Sequence, residues 1–105
     1  MSVTKENIIK YAENGLKDSK SNNYDVKEYY AGKRQGFRRI IEKAEHLNLK
    51  ELITEIERME TEGNYWHTQN ISKKGKQYTD GIGIAALETI EGLHIKSLKR
   101  KKLLA

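Results

Sequence analysis

Residues 26–47, VKEYYAGKRQGFRRIIEKAEHL, decide the fold. Their apolar side chains recur at the 3.6-residue spacing of one helix face, so the stretch predicts a long amphipathic helix with Asp25 as a candidate N-cap. Gly32 and Gly36 lie four residues apart on one side of this helix. Two interior glycines cost about 2 kcal/mol in helix propensity. We therefore expect this side to pack closely against another helix, or to contact a partner backbone or ligand.

Helices are also predicted on both sides of this stretch. Thr4 is a candidate N-cap for a first helix from Lys5 to about Lys17, and residues 18–23 read as a polar loop. A third helix begins at Asn48, where Asn48 and Glu51 have the spacing of a capping box, and Gly63 is its expected stop. The short gap between the second and third helices predicts an αα-hairpin.

The residues that follow are harder to assign. Residues 64–76, NYWHTQNISKKGK, mix extended-chain formers with a possible turn, so we expect a loop or a minor β-hairpin. The last helix is expected to start between Lys76 and Ile82, with Thr79 or Asp80 as its cap, and to run into a basic end at residues 96–105. The sequence thus predicts a single all-α domain of four helices over residues 1–105.

A faint internal repeat relates the second helix to the last one. Residues 27–42 and 76–91 align with a shift of 49 positions, and the aligned identities are Lys27/Lys76, Tyr29/Tyr78, Gly32/Gly81, Ile41/Ile90 and Glu42/Glu91. Gly36 aligns with Ala85, another small residue. Either the two helices pack against each other through their small faces, or the similarity is a coincidence of helix composition.

Composition excludes several classes of protein. The chain has no cysteine, which removes disulfides, thiolate catalysis, cysteine-ligated zinc and iron–sulfur clusters, and favours a cytoplasmic location. No run of 18 apolar residues is present, so we expect no membrane contact, and no signal peptide is visible. The histidines (His46, His67 and His94) form no metal motif, and no phosphate-binding loop or catalytic motif is complete. The sequence therefore predicts a non-enzymatic protein without a metal or cofactor.

Charge is distributed unevenly along the chain. The net charge is +5, but residues 26–48 carry +3, residues 49–63 carry −3, and residues 64–81 and 82–105 carry +2 and +3. The acidic third helix is a candidate surface for a protein partner, through Glu51, Glu55, Glu57, Glu60 and Glu62. The basic groups, together with aromatic residues, are candidates for binding nucleic acid: Lys33, Arg34, Arg38, Arg39, Trp66, Lys73, Lys74, Lys76, Lys99, Arg100, Lys101 and Lys102. The alternative for both sets is ordinary solvated charge.

Two functions are consistent with this layout. The first is a small regulator or inhibitor of a protein partner, for instance one that handles nucleic acid, of the kind that phages and mobile elements encode. The second is a nucleic-acid-binding accessory protein that uses the basic helix, the region around Trp66 and the basic end. A helix-turn-helix mode is disfavoured, because Glu51 and Glu55 at the start of the third helix repel phosphates. A homodimer through Gly32 and Gly36 is a third possibility.

Overall fold

The described residues fold into four α-helices without strands. A computed structural model describes residues 3–21 and 23–95, and the helices are α1 (Lys5–Asp18), α2 (Lys27–Ala44), α3 (Leu49–His67) and α4 (Lys73–Gly92). A single 3₁₀ turn, Tyr24–Val26, leads into α2. The all-α prediction is therefore confirmed. No helix in this part of the chain is long and apolar enough to cross a membrane.

Side-chain caps fix the starts of α1 and α3. The Thr4 hydroxyl accepts a hydrogen bond from the Asn7 amide, and the Asn7 side chain accepts one from the Thr4 amide. Asn48 and Glu51 form the same reciprocal pair at the start of α3. Both caps were predicted from the sequence. The start of α2 differs, because Asp25 does not cap it; the Asn23 side chain instead accepts from the Asp25 amide and closes the 3₁₀ turn.

The centre of the fold is a close crossing of α2 and α4. Gly32 faces the backbone of Tyr78, and Gly36 faces Ala85, so the two helices run in the same direction. Gly81 in turn faces the backbone of Tyr29. The close crossing expected for Gly32 and Gly36 is thus present within the chain, and both residues are buried there.

Residues 64–76 are mostly helical, so the predicted loop or β-hairpin is wrong. Helix α3 continues through Gly63 to His67, and α4 already begins at Lys73, which leaves residues 68–72 as the connection. Gly63 packs against Gly83 of α4 and is therefore a contact residue rather than a stop. The N-cap of α4 is Ser72, whose hydroxyl accepts from the Gly75 amide, and not Thr79 or Asp80.

Helix α4 ends before the basic segment. The His94 amide donates to the Glu91 carbonyl and the Ile95 amide donates to the Ile90 carbonyl, which is the Schellman pattern. His94 supplies the left-handed residue of this motif, with φ 52°, and Ile95 is buried behind it. The predicted basic end at residues 96–105 lies outside the described residues.

The core lies where α4 meets the other three helices. Helices α2 and α3 are joined by the short connection that the sequence predicted, and α4 packs extensively against both. Helix α1 packs mainly against α2 and also contacts α4. The fully buried apolar side chains include Ile8, Phe37, Ile40, Leu52, Ile56, Met59 and Ile90.

Candidate functional site

Exposed aromatic side chains gather at one end of the domain. The connection at residues 68–72 joins the last turn of α3 to the first turn of α4, and the start of α2 lies beside the start of α4 because these helices run in the same direction. The large hydrophobic side chains that are exposed among the described residues all lie at this end: Tyr24 (75% exposed), Tyr65 (57%), Trp66 (40%) and Tyr78 (36%). Tyr65 and Trp66 meet edge to face, with ring centroids 5.3 Å apart.

Lysines lie at the same end of the domain as these rings. Helix α4 opens with Lys73, Lys74 and Lys76 in its first turn and carries no acidic residue there, and Lys27 opens α2. Lys27, Lys73 and Lys74 are exposed, whereas Lys76 is half-buried. We call this surface the aromatic–lysine end: Tyr24, Tyr65, Trp66, Tyr78, Lys27, Lys73, Lys74 and Lys76. Four of these residues were not among the sequence-predicted site residues: Tyr24, Tyr65, Tyr78 and Lys27.

Three of the four basic residues of α2 that were predicted to bind nucleic acid form ion pairs or hydrogen bonds within the domain. Lys33 Nζ lies 2.9 Å from a carboxylate oxygen of Glu88, and Arg34 donates to the Ser19 carbonyl over 2.9 Å. Arg39 lies 3.3 Å from Glu55 on α3. Partial burial lowers the pKa of Lys33, but the hydrogen bond and charge of Glu88 outweigh it, so the pKa is raised. Arg38 is exposed.

Several of the acidic residues of α3 that were predicted to bind a protein partner also form contacts within the domain. The Glu51 side chain belongs to the capping box, and Arg58 binds both Glu55, at 2.7 Å, and Glu62, at 2.9 Å. Glu57 and Glu60 are half-buried. The hydrogen bond from Arg58 and the nearby positive charges lower the pKa of Glu55 despite its partial burial. The remaining basic candidates, Lys99, Arg100, Lys101 and Lys102, lie beyond the described residues.

The Glu55 contacts predict a pH-dependent part of the stability. A carboxyl whose pKa is lowered by folding stabilises the folded state at neutral pH, and this contribution is lost as the pH falls through the lowered pKa. We expect Glu55→Gln to reduce the free energy of unfolding by about 0.5–1 kcal/mol at pH 7. In urea titrations this difference should shrink as the pH is lowered from 7 to 3, as the carboxyl is protonated. Glu13→Gln, at an exposed site on α1, is the control. A Glu55→Gln effect of the same size at every pH from 7 to 3 contradicts the prediction.

A histidine–aspartate pair lies next to the aromatic–lysine end. His67 Nδ1 lies 2.9 and 3.1 Å from the two carboxylate oxygens of Asp80, which links the last turn of α3 to α4. The pair borders a cleft of about 370 Å³ whose lining includes Tyr29 and Ile84. The sequence did not indicate this pair, because Asp80 lies 13 residues away from His67 in the chain.

No three histidine, aspartate or glutamate side chains in residues 3–21 and 23–95 lie close enough together to hold a metal ion. The fold and the site thus define a small all-α domain with a charged, aromatic end. Comparisons with protein-family models, curated sequences and solved structures find no match to this chain.

Proposed function

We propose that this chain is a non-enzymatic nucleic-acid-binding accessory protein that acts through the aromatic–lysine end. The observation that carries the proposal is the position of its lysines. A helix N-terminus bears partial positive charge, so cations placed there destabilise the helix and acidic residues are favoured. Helix α4 nevertheless opens with Lys73, Lys74 and Lys76 and has no acidic residue in its first turn. Helix stability does not account for this placement, whereas attraction of an anionic partner does.

The aromatic side chains add a second property of nucleic-acid surfaces. Single-stranded nucleic acid binds where cations follow the backbone and rings offer faces for base stacking. Tyr24, Tyr65 and Trp66 stay exposed at the same end as the lysines, although burying such rings would stabilise the fold. The surface thus combines both groups that such binding needs.

Salt dependence is the direct test. We expect a fluorescent single-stranded oligonucleotide to bind with an affinity that falls steeply with salt, because each neutralised phosphate contributes about −0.7 to the slope of log K against log salt. Replacing Lys73 and Lys74 together with glutamine should weaken binding and flatten this slope by about 1.4. Lys10→Gln with Lys17→Gln removes the same charge from exposed positions on α1 and should change the slope little. A flat salt response of the unaltered protein rejects the proposal.

A regulator or inhibitor of a protein partner is the second candidate. It is favoured by the acidic charge of α3, which includes Glu55 and Glu62, both bound by Arg58, whereas α2 and the start of α4 are basic. Such charge segregation accelerates the encounter with an oppositely charged protein. Affinity capture from a bacterial lysate, with and without nuclease, separates the two candidates. A protein retained after nuclease, and lost on Glu62→Lys, supports this second function; capture that nuclease abolishes supports the first.

A further inference from the structure

A small cleft opens between the start of α2 and the start of α4. It has a volume of about 230 Å³, and residues from both helices line it. Tyr24, Asp25, Lys27 and Glu28 form the wall that precedes and begins α2, and Lys73, Lys74 and Gln77 form the wall on α4. The cleft therefore lies inside the aromatic–lysine end, with an aromatic ring, cations and carboxylates placed around one space.

The Tyr24 ring is held out from the domain at the edge of this cleft. The hydrogen bond from the Asp25 amide to the Asn23 side chain closes the 3₁₀ turn, and the Val26 amide donates back to the Asn23 carbonyl. Tyr24 remains 75% exposed on this turn, and Lys27 Nζ lies 5.9 Å from its ring centroid. The ring consequently offers a face on which a planar group can stack.

Charge on the two walls differs. Lys73 and Lys74 make the α4 wall positive, whereas the α2 wall contains Asp25 and Glu28 as well as Lys27. A phosphate is attracted to the first wall and repelled by the carboxylates of the second. Carboxylates do, however, accept hydrogen bonds from the exocyclic amino group of a base, such as N4 of cytosine. Thymine presents a carbonyl oxygen at the same position, which a carboxylate repels.

We propose that this cleft receives one unpaired base bearing an exocyclic amino group, stacked on Tyr24, with its phosphate against Lys73 and Lys74. This inference rests on the proposed nucleic-acid function and names the substrate class of the same surface. Stacking requires a base that is free of a duplex, so the preferred ligand is single-stranded. The carboxylates of Asp25 and Glu28 select the amino group.

The test compares oligo-dC with oligo-dT of equal length by fluorescence anisotropy. The two strands carry the same number of phosphates, so their difference reports on the base. We expect oligo-dC to bind about tenfold more tightly. Tyr24→Ala should weaken oligo-dC binding about tenfold, and Tyr24→Phe should retain it, because the phenyl ring still stacks. Glu28→Gln should reduce the preference for oligo-dC over oligo-dT.

The outcomes separate this inference from the proposed function. Equal affinities for oligo-dC and oligo-dT, both steeply dependent on salt, overturn the base site and leave nucleic-acid binding intact. Binding of oligo-dC that is unchanged in Tyr24→Ala also overturns it. If neither strand binds, both proposals fail. Tyr24 is exposed, so its variants should keep the far-ultraviolet circular dichroism of the unaltered protein, which serves as the folding control.

Discussion

Replacing Gly32 or Gly81 with alanine should lower the free energy of unfolding by about 3 kcal/mol or more, although alanine is the better helix former by about 1 kcal/mol. A Cβ atom on Gly32 would overlap the carbonyl oxygen of Tyr78, and one on Gly81 would overlap the carbonyl oxygen of Tyr29. Both obstacles are backbone atoms inside a helix, so neither can move without displacing the whole of α2 or α4. The penalty therefore exceeds the gain in propensity.

Urea unfolding followed by circular dichroism measures this effect. Gln35→Ala, at an exposed position of α2, is the control and should change the stability by less than about 0.5 kcal/mol. Gly36→Ala tests a gentler obstacle, because its Cβ would lie 2.7 Å from the Cβ of Ala85. Adding Ala85→Gly to that variant moves the methyl group to the other helix and should restore part of the stability. Gly32→Ala with unaltered stability would show that the crossing is looser than the structure has it.

The crossing also gives the internal repeat a physical meaning. The contact of Gly32 with Tyr78 and the contact of Gly81 with Tyr29 exchange places when each residue is shifted by 49 positions. Gly36 and Ala85, which are aligned in the repeat, face each other. The two helices therefore approach each other through equivalent residues, as the sequence predicted for a real repeat. Because Gly32 and Gly36 are buried against α4 of the same chain, they are not exposed for the homodimer contact that the sequence analysis considered.

Local signals predicted the first half of the fold well. Helices α1 and α2 and the start of α3 depend on apolar spacing and on caps built from adjacent residues, such as Thr4 with Asn7. The close crossing was predictable because interior glycines at Gly32 and Gly36 lack a local explanation. The repeat offered the last helix as the partner, as one of two alternatives that the sequence left open. The caps and the apolar spacing depend only on neighbouring residues. The crossing depends on a distant helix, but the glycines and the repeat are visible in the sequence.

The error at residues 64–76 has a tertiary cause. Gly63 resembles a helix stop, and Tyr65, Thr68 and Ile71 favour extended structure, so local propensity argued against a helix. In the structure Gly63 is required for the approach of α3 to Gly83 of α4, and the helix continues for four more residues. Packing against α4 overrides propensity here, and nothing local to residues 64–76 reveals that contact.

The candidate site was predictable in part for a similar reason. Lys73, Lys74 and Trp66 were named from local clustering, and the structure brings them to one end. The engagement of Lys33 with Glu88 and of Arg39 with Glu55 depends on helix packing, so sequence alone did not separate these cations from the surface lysines. Tyr24 was missed because its position beside α4 arises from the α2–α4 crossing. The sequence did contain one signal for Tyr24, since it is an aromatic residue that follows a polar loop and precedes a helix.

Phe37 should be the core residue whose truncation costs most. It is fully buried and is the largest side chain of the core, and its ring packs against Gly15 of α1. We expect Phe37→Ala to lower the free energy of unfolding by about 3–5 kcal/mol, because the removed ring leaves a cavity that the helices fill only partly. Phe37→Leu should cost less and provides a background that remains folded if Phe37→Ala does not.

The contact between Phe37 and Gly15 makes the stronger prediction. A Cβ on Gly15 would lie 2.6 and 2.7 Å from two ring carbons of Phe37, so Gly15→Ala should destabilise the unaltered protein by about 1–2 kcal/mol. In the Phe37→Ala background the ring is absent. Gly15→Ala should there raise the free energy of unfolding by about 1 kcal/mol, because alanine is the better helix former and its methyl group fills part of the cavity. The coupling energy from the double-mutant cycle should therefore be about 2–3 kcal/mol. Glu13→Ala, exposed on the same helix, should behave alike in both backgrounds; a Gly15→Ala effect equal in both would mean that α1 does not pack on this ring.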